Sequence, residues 1–245
     1  MGELIAVLSG KGGTGKTSVC AGIATALADS GSNVLCIDCD IGLRNLDISL
    51  GLSELGVLSF LDVCSGQYNL QQATRHHLYP TLHFLTAPMN CDAIQIDQEA
   101  FRRMLAAARD NFQYVLLDAP AGVDAGFELA ARFADRILLV TGADPASIRD
   151  ARRAGDLLEL MGKRDVRLVV NRISYKMVRK LKTTVDDVMD QAGLPLIGVV
   201  PEDANMTLAA AAGKPLLQYA KRGATAYALR RIARRIQGLA VPIDL

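Results

Sequence analysis

Apolar residues along this chain gather in short runs, and the stretches between the runs carry apolar residues at helical spacing. Leu4-Ile5-Ala6-Val7-Leu8, Val34-Leu35-Cys36-Ile37, residues 82–87, Tyr114-Val115-Leu116-Leu117, Ile137-Leu138-Leu139-Val140, Leu168-Val169-Val170 and residues 196–200 read as strands buried on both faces. Val19, Ile23, Ala26 and Leu27 predict a helix after the first run, closed by Gly31. Phe101, Met104, Leu105 and Ala108 share one face of a helix over 98–111, and Phe127, Leu129 and Ala130 mark another. Asp144-Pro145 starts a long helix, and 224–238 forms the last, with Tyr227, Ile232 and Ile236 opposite Arg230, Arg231, Arg234 and Arg235. The least readable part is 48–82, where 58–63 suits a helix and 66–80 a polar loop. Strand and helix alternate throughout, with no Gly/Ser-rich linker and no repeat. The expectation is one α/β domain over 1–245: a single doubly wound, mostly parallel sheet flanked by helices.

Ser9-Gly10-Lys11-Gly12-Gly13-Thr14-Gly15-Lys16-Thr17-Ser18 stands between the first strand and its helix. From Gly10 it runs G-x-x-x-x-G-K-T, the Walker A spacing of a phosphate-binding loop. The glycines let the backbone wrap a polyphosphate and aim successive N–H groups at it, and the helix starting near Lys16 adds its positive dipole end. Lys16 is expected to reach the β- and γ-phosphates, and the Thr17 hydroxyl to ligate Mg²⁺. Two further strands end in carboxylates: Asp38 and Asp40 after one, Asp118 after another. An apolar strand ending in aspartate is the Walker B pattern, so Asp118 is expected to hold Mg²⁺ through water, with Pro120 fixing the turn beyond it.

Lys11 puts a second lysine beside the first glycine. That Lys-Gly-Gly-Thr-Gly-Lys-Thr, the Asp38-Cys39-Asp40-Ile41-Gly42-Leu43-Arg44-Asn45-Leu46-Asp47 segment and Asp118-Ala119-Pro120-Ala121-Gly122 together resemble the deviant Walker A (MinD/ParA) P-loop ATPase family, in its MinD branch. The resemblance implies ATP with Mg²⁺ and an ATP-sandwiched homodimer in which Lys11 reaches the partner's nucleotide. It implies that Lys11, Lys16 and Asp40 are catalytic, Asp40 positioning or activating the attacking water. Thr17, Asp38 and Asp118 would serve the metal. Asp38, Asp40, Asn45, Asp118, Pro120 and Gly122 would form the switch segments, with Asn45 ordering the loop near Lys11 and the Gly122 N–H meeting the γ-phosphate. Nucleotide contacts would run from Gly10 to Ser18, with Asn171, Arg172, Pro201, Glu202 and Asp203 around adenine. The implied task is ATP hydrolysis that drives a dimer switch in division-site placement, with MinC-like and MinE-like regulators as partners. A ParA-like partition ATPase, a flagellar-number regulator and a soluble relative without a membrane role are alternatives inside the family.

Composition narrows the field. Half the residues are hydrophobic but only 5% are aromatic, and there is no Trp, so an aliphatic core is expected. Lys+Arg number 27 against 26 Asp+Glu, which removes any global pull toward DNA, and DNA is not an expected partner. No apolar run approaches the ~18 residues of a membrane span. Glu3 stands where a signal peptide would be basic, so a cytoplasmic protein is expected. The five cysteines all precede residue 92, as suits a reducing compartment. Cys36 and Cys39, three apart across a strand end, should point to opposite faces and serve packing rather than redox or zinc chemistry. An iron–sulfur relative would need cysteines flanking the second switch, and none follows Cys91; a bacterial tyrosine kinase would need a C-terminal tyrosine cluster, and Tyr219 with Tyr227 is not one. His76-His77 is poor metal geometry, and both are expected on the surface.

Charged faces are read as solvated by default. Arg149, Asp150, Arg152 and Arg153 fit such a face on the long helix, with a partner surface as the second reading. Lys176, Arg179, Lys180 and Lys182 form a basic cluster with thin aromatic interleaving. MinD-type relatives continue into a short amphipathic membrane helix, whereas this chain stops at Val241-Pro242-Ile243-Asp244-Leu245. Peripheral attachment to the inner membrane face stays open, and the last helix is expected to pack on the sheet and snorkel its arginines.

Overall fold

The computed structural model describes residues 1–41, 43–53, 56–88, 96–174 and 184–243. The strands are β1 (Glu3–Leu8), β2 (Val34–Asp38), β3 (Thr74–Arg75), β4 (Leu82–Leu85), β5 (Tyr114–Asp118), β6 (Arg136–Thr141), β7 (Val166–Ile173) and β8 (Leu196–Pro201). The helices are α1 (Lys16–Asp29), α2 (Leu46–Leu50), α3 (Phe60–Cys64), α4 (Gln98–Asn111), α5 (Ala125–Phe133), α6 (Pro145–Leu160), α7 (Val185–Ala192), α8 (Asn205–Ala211), α9 (Leu216–Tyr219) and α10 (Ala224–Ile236).

The strands form one sheet in the order β3-β4-β2-β5-β1-β6-β7-β8, parallel except for the β3–β4 pair at one edge. This is the doubly wound arrangement that alternating strands and helices predict. Successive strand residues point to opposite faces, and both faces are covered. Val7, Cys36, Leu138 and Val169 face a layer built from α1, α2, α9 and α10. Leu8, Ile37, Leu139 and Leu168 face Phe60, Phe101, Phe127 and Ile148 on α3 to α6. Cys36 and Cys39 lie in different layers, as strand geometry requires. Among the described residues no helix is long and apolar enough to cross a membrane.

Several expectations are corrected. The β4 strand ends at Leu85, two residues short of the apolar run. The 66–80 stretch is not all loop: it holds a 3₁₀ turn at Leu70–Gln72 and the antiparallel β3. His76 is buried, not on the surface, because β3 turns it under the end of α2. Its Nε2 donates to the Leu50 carbonyl at 2.8 Å and its Nδ1 accepts from the Leu78 N–H at 3.0 Å, so both ring nitrogens are used. Tyr227 is exposed; the buried stripe of α10 is Ala226, Leu229, Ile232, Ala233 and Ile236, one step around the helix. The helix packs on the sheet as expected, but two of its arginines bind backbone rather than reach only for water: Arg235 Nε donates to the Val241 carbonyl and its Nη1 to that of Ile197, and Arg230 Nη1 donates to that of Lys221. The basic cluster of Lys176, Arg179, Lys180 and Lys182, together with Gly42 and Cys91, lies outside the described residues.

Candidate nucleotide site

Parallel register brings the carboxyl ends of three strands together. Val7 of β1 and Asp38 of β2 both stand opposite Asp118 of β5, so the loops after these strands share one crevice. The phosphate loop leaves β1 there. Gly13 and Gly15 take left-handed backbone angles, φ 80° and 83°, which L side chains resist, and Gly15 caps α1. Lys16 is thereby directed inward. Its Nζ lies 2.7 Å from Asp118 Oδ1 and 3.3 Å from Thr17 Oγ1.

The electrostatics are lopsided. Burial works against the Lys16 ammonium, but the Asp118 carboxylate outweighs it and the lysine is held above its ordinary value. Burial pushes the Asp118 carboxyl up, against the pull of Lys16. Asp38 is fully buried and accepts N–H bonds from Asp40 at 2.9 Å and Leu46 at 3.2 Å. Burial, and then the neighbouring Asp118, still push it up to about 7. Asp40 is also pushed up, chiefly by burial. Three carboxylates thus share one crevice, and Lys16 acts on Asp118 and Asp40. Asp118 Oδ2 and Thr14 Oγ1 are buried with no hydrogen-bond partner among the described residues. Carboxylate and hydroxyl oxygens short of positive charge are the donor set that suits Mg²⁺ beside phosphate, so the residues present fit that group.

The segments after β2 and β5 sit against the loop. The Gly122 N–H, at φ 97°, donates to the Ser9 carbonyl at 3.1 Å, tying the post-β5 turn to the start of the loop. A Cβ on Gly126 would collide with the Pro120 ring, so α5 starts directly on that proline. Asn45 caps α2 through its carbonyl, which accepts from Ser49 N–H, and makes no side-chain cap. Lys11 reaches Asp144 of its own chain at 3.9 Å, both half-exposed. Arg44, which sequence reasoning passed over, holds a left-handed φ of 47° and donates from Nε to Thr86 Oγ1 at 2.9 Å. Nothing in an Asp-rich loop signals that conformation for an arginine.

A cavity of about 500 Å³ opens beside the loop, in the size range of small-ligand pockets. Gly15, Ser18, Asn171, Arg172 and the Pro201-Glu202-Asp203 segment all line it, so the structure brings these expected contacts together. Asn171 Nδ2 donates to the Thr14 carbonyl at 2.7 Å and fixes the loop from the side. Met206 and Thr207 of α8 form the far wall and were missed. The helix has 7 residues, too few for periodicity to mark it. A second cavity, about 200 Å³, lies between Lys11, Gly12, Asp144 and Arg172.

Residues 5–216 match the CobQ/CobB/MinD/ParA nucleotide binding domain family. Over 244 residues the chain is 36% identical to the septum site-determining protein MinD of Synechocystis sp., covering 99% of this chain and 92% of that one. The chain belongs to this family, in its MinD branch. Solved MinD structures have the same fold. The chain is similar to MinD in the MinC:MinD cell division protein complex of Aquifex aeolicus, with TM-score 0.91, 36% identity and 99% of each chain covered. It is also similar to the Pyrococcus horikoshii MinD complexed with Mg-ADP, with TM-score 0.84, 26% identity and 96% of each chain covered. The crevice at the ends of β1, β2 and β5 lies within the residues that match this nucleotide binding domain family.

Proposed function

We propose that this chain is an ATP-dependent dimerising switch: an ATPase, acting as one unit over 1–245, that converts ATP and water to ADP and phosphate and helps place the division site. The observation that carries the reading is the buried Lys16–Asp118 pair at 2.7 Å, set inside a Walker A loop and crowded by Asp38 and Asp40. Lys16 trades Asp118 for the β- and γ-phosphates when nucleotide arrives, and the loop's N–H groups from Gly10 to Ser18 cradle the chain of phosphates. Mg²⁺, held by Thr17 and by Asp118 through water with Asp38 behind, would neutralise charge on the β- and γ-oxygens. Asp40, half-buried at the mouth of the site, orients the attacking water. Gly122 releases Ser9 and turns its N–H toward the γ-phosphate. Asn171 and the Pro201-Glu202-Asp203 wall surround the adenosine end, with Arg172 between that wall and the loop. Lys11 leaves Asp144 and reaches the nucleotide of a second copy, supplying a cation where charge develops in the transition state. The switch output is a dimer surface read by a MinC-like inhibitor and a MinE-like regulator, a reading supported by the likeness to MinD of the MinC:MinD complex. The cytoplasm, with peripheral attachment to the inner membrane face, is the proposed place of action.

Light scattering in ATP and in ADP, alongside phosphate release, tests the reading. Asp40→Ala is expected to form ATP dimers that do not turn over, and Lys11→Ala to bind nucleotide yet stay monomeric. A wild type that releases no phosphate and keeps one mass in both nucleotides would sink it.

A further inference from the structure

The end of β7 breaks the rule that successive strand residues point to opposite faces. Its pairing with the edge strand β8 runs Val170↔Val199 and then Ile173↔Pro201, so Asn171 and Arg172 together oppose Val200. Two residues against one is a β-bulge, a device that bends a strand and re-aims a side chain. The second bulge residue is Arg172, at φ 56°, a left-handed conformation unusual for a long L side chain. Neighbouring side chains now reach the same place. A Cβ on Gly15 would collide with Asn171 Nδ2 and would lie 3.7 Å from Arg172 Nε. Arg172 lines both the large cavity and the smaller one at Lys11, so its side chain lies across the phosphate loop where the two meet. Its neighbours explain themselves: Asn171 is bonded to Thr14, and Ile173 returns to the core. Arg172 is exposed, and among the described residues nothing accepts a hydrogen bond from its guanidinium.

A strained backbone that delivers to a phosphate loop a cation with no partner among the described residues is accounted for by an anion. We propose that the Asn171–Arg172 bulge is a phosphate clasp: Arg172 closes over the phosphates nearest the ribose, while Lys16 serves the outer ones from below. The proposal rests on the nucleotide reading above and assigns Arg172 to phosphate rather than to the base. The free protein holds the left-handed turn in readiness, so the guanidinium is in position before nucleotide binds.

Calorimetric titration of the full chain with ADP and with adenosine tests this. Arg172→Gly keeps the backbone conformation without strain and removes the charge; Arg172→Asn, which also tolerates the left-handed region, guards against a folding artefact. Both variants are expected to bind ADP about tenfold more weakly, the loss of one charge-assisted contact, with adenosine affinity unchanged. Arg172→Gly is also expected to melt at a higher temperature than wild type when free of nucleotide. Unchanged ADP affinity in both variants overturns the clasp. So does an equal loss for adenosine and ADP, which would put the guanidinium on the base. A wild type that binds neither ligand removes the nucleotide reading itself, a result distinct from either.

Discussion

The two edges of the sheet both carry carboxylates beside cations, and they resolve the charge in opposite ways. At the amino edge Arg136 lies 3.2 Å from Glu3 and 2.8 Å from Asp165, Arg167 lies 2.7 Å from Asp165, and Arg109 pairs with Asp135. Asp135 also accepts the Leu4 N–H at 2.9 Å. Burial there pushes the Asp165 carboxyl up, but Arg136 and Arg167 outweigh it and hold it below its ordinary value. At the carboxyl edge Asp38, Asp40 and Asp118 are all pushed up by burial, and Lys16 pulls back on Asp40 and Asp118. At the amino edge burial still pushes the Glu3 carboxyl up against the pull of Arg136, so that edge is mostly rather than wholly settled, and settled charge serves the fold. The other is short of positive charge, and in the function proposed above a metal ion would supply what is missing when Lys16 changes partner.

The largest effect expected follows from removing that one cation. Lys16→Ala leaves Asp118 buried without its partner, which costs about 3–5 kcal/mol of stability and, by loss of phosphate contact, about a thousandfold in hydrolysis. Combining Lys16→Met with Asp118→Asn should return most of the stability and none of the activity, read from urea midpoints and phosphate release. If the single and double variants unfold together, the buried pair is not the hinge of this edge.

Next in size is a dependence on pH. In the folded protein Asp38 is pushed up to about 7 from an ordinary 3.8, so the folded state holds this proton more tightly than the unfolded chain does. The associated stability is complete below the ordinary value and is lost as pH rises through about 7. Asp38→Asn should flatten that slope and, near pH 8 without Mg²⁺, exceed wild type by only roughly 1–2 kcal/mol, because its amide nitrogen cannot accept one of the two N–H bonds that the carboxylate takes. Parallel urea midpoints for the two proteins between pH 5 and pH 8 would contradict it. The settled edge should respond differently: Arg136→Met should cost about 1–2 kcal/mol, because its acids are only partly buried, and leave ATP affinity untouched. A matched loss in ATP binding would mean that the edges are not independent.

What was legible in the chain follows the same division. The strand runs could be read because both faces of a parallel strand are apolar, and the phosphate loop because its glycines serve the backbone and must lie close in sequence. Asp38 and Asp118 stood out for the same reason: each ends an apolar run. The short helices α2, α8 and α9, with 5, 7 and 4 residues, left too little periodicity to read. The burial of His76 depends on where α2 ends, twenty-six positions earlier, at the Leu50 carbonyl it meets. Asn171 and Arg172 were legible as strand-end residues, but the bulge that turns both to one side is a matter of register with β8. Local signals carry the elements and the loop; contacts between distant segments carry the polish of the site.

The smallest expected effect separates the two lysines of the loop. Lys16 is buried and paired at 2.7 Å, while Lys11 meets Asp144 at 3.9 Å with both side chains about half-exposed. An exposed pair at that distance contributes about 0–1 kcal/mol. Asp144 has a second task, accepting the Ser147 N–H at 3.0 Å as the N-cap of α6, so Asp144→Ala would confuse two losses. Asp144→Asn keeps the cap and removes the charge. Its melting temperature should therefore match wild type, and if Lys11 is held in reserve for a second copy, its ATP dimer should form at equal or lower protein concentration. Lys11→Ala should be just as stable when free and should form no ATP dimer. If Lys11→Ala loses as much stability as Lys16→Ala, the two lysines share one structural role, and the contrast between a paired edge and a waiting one fails at its sharpest point.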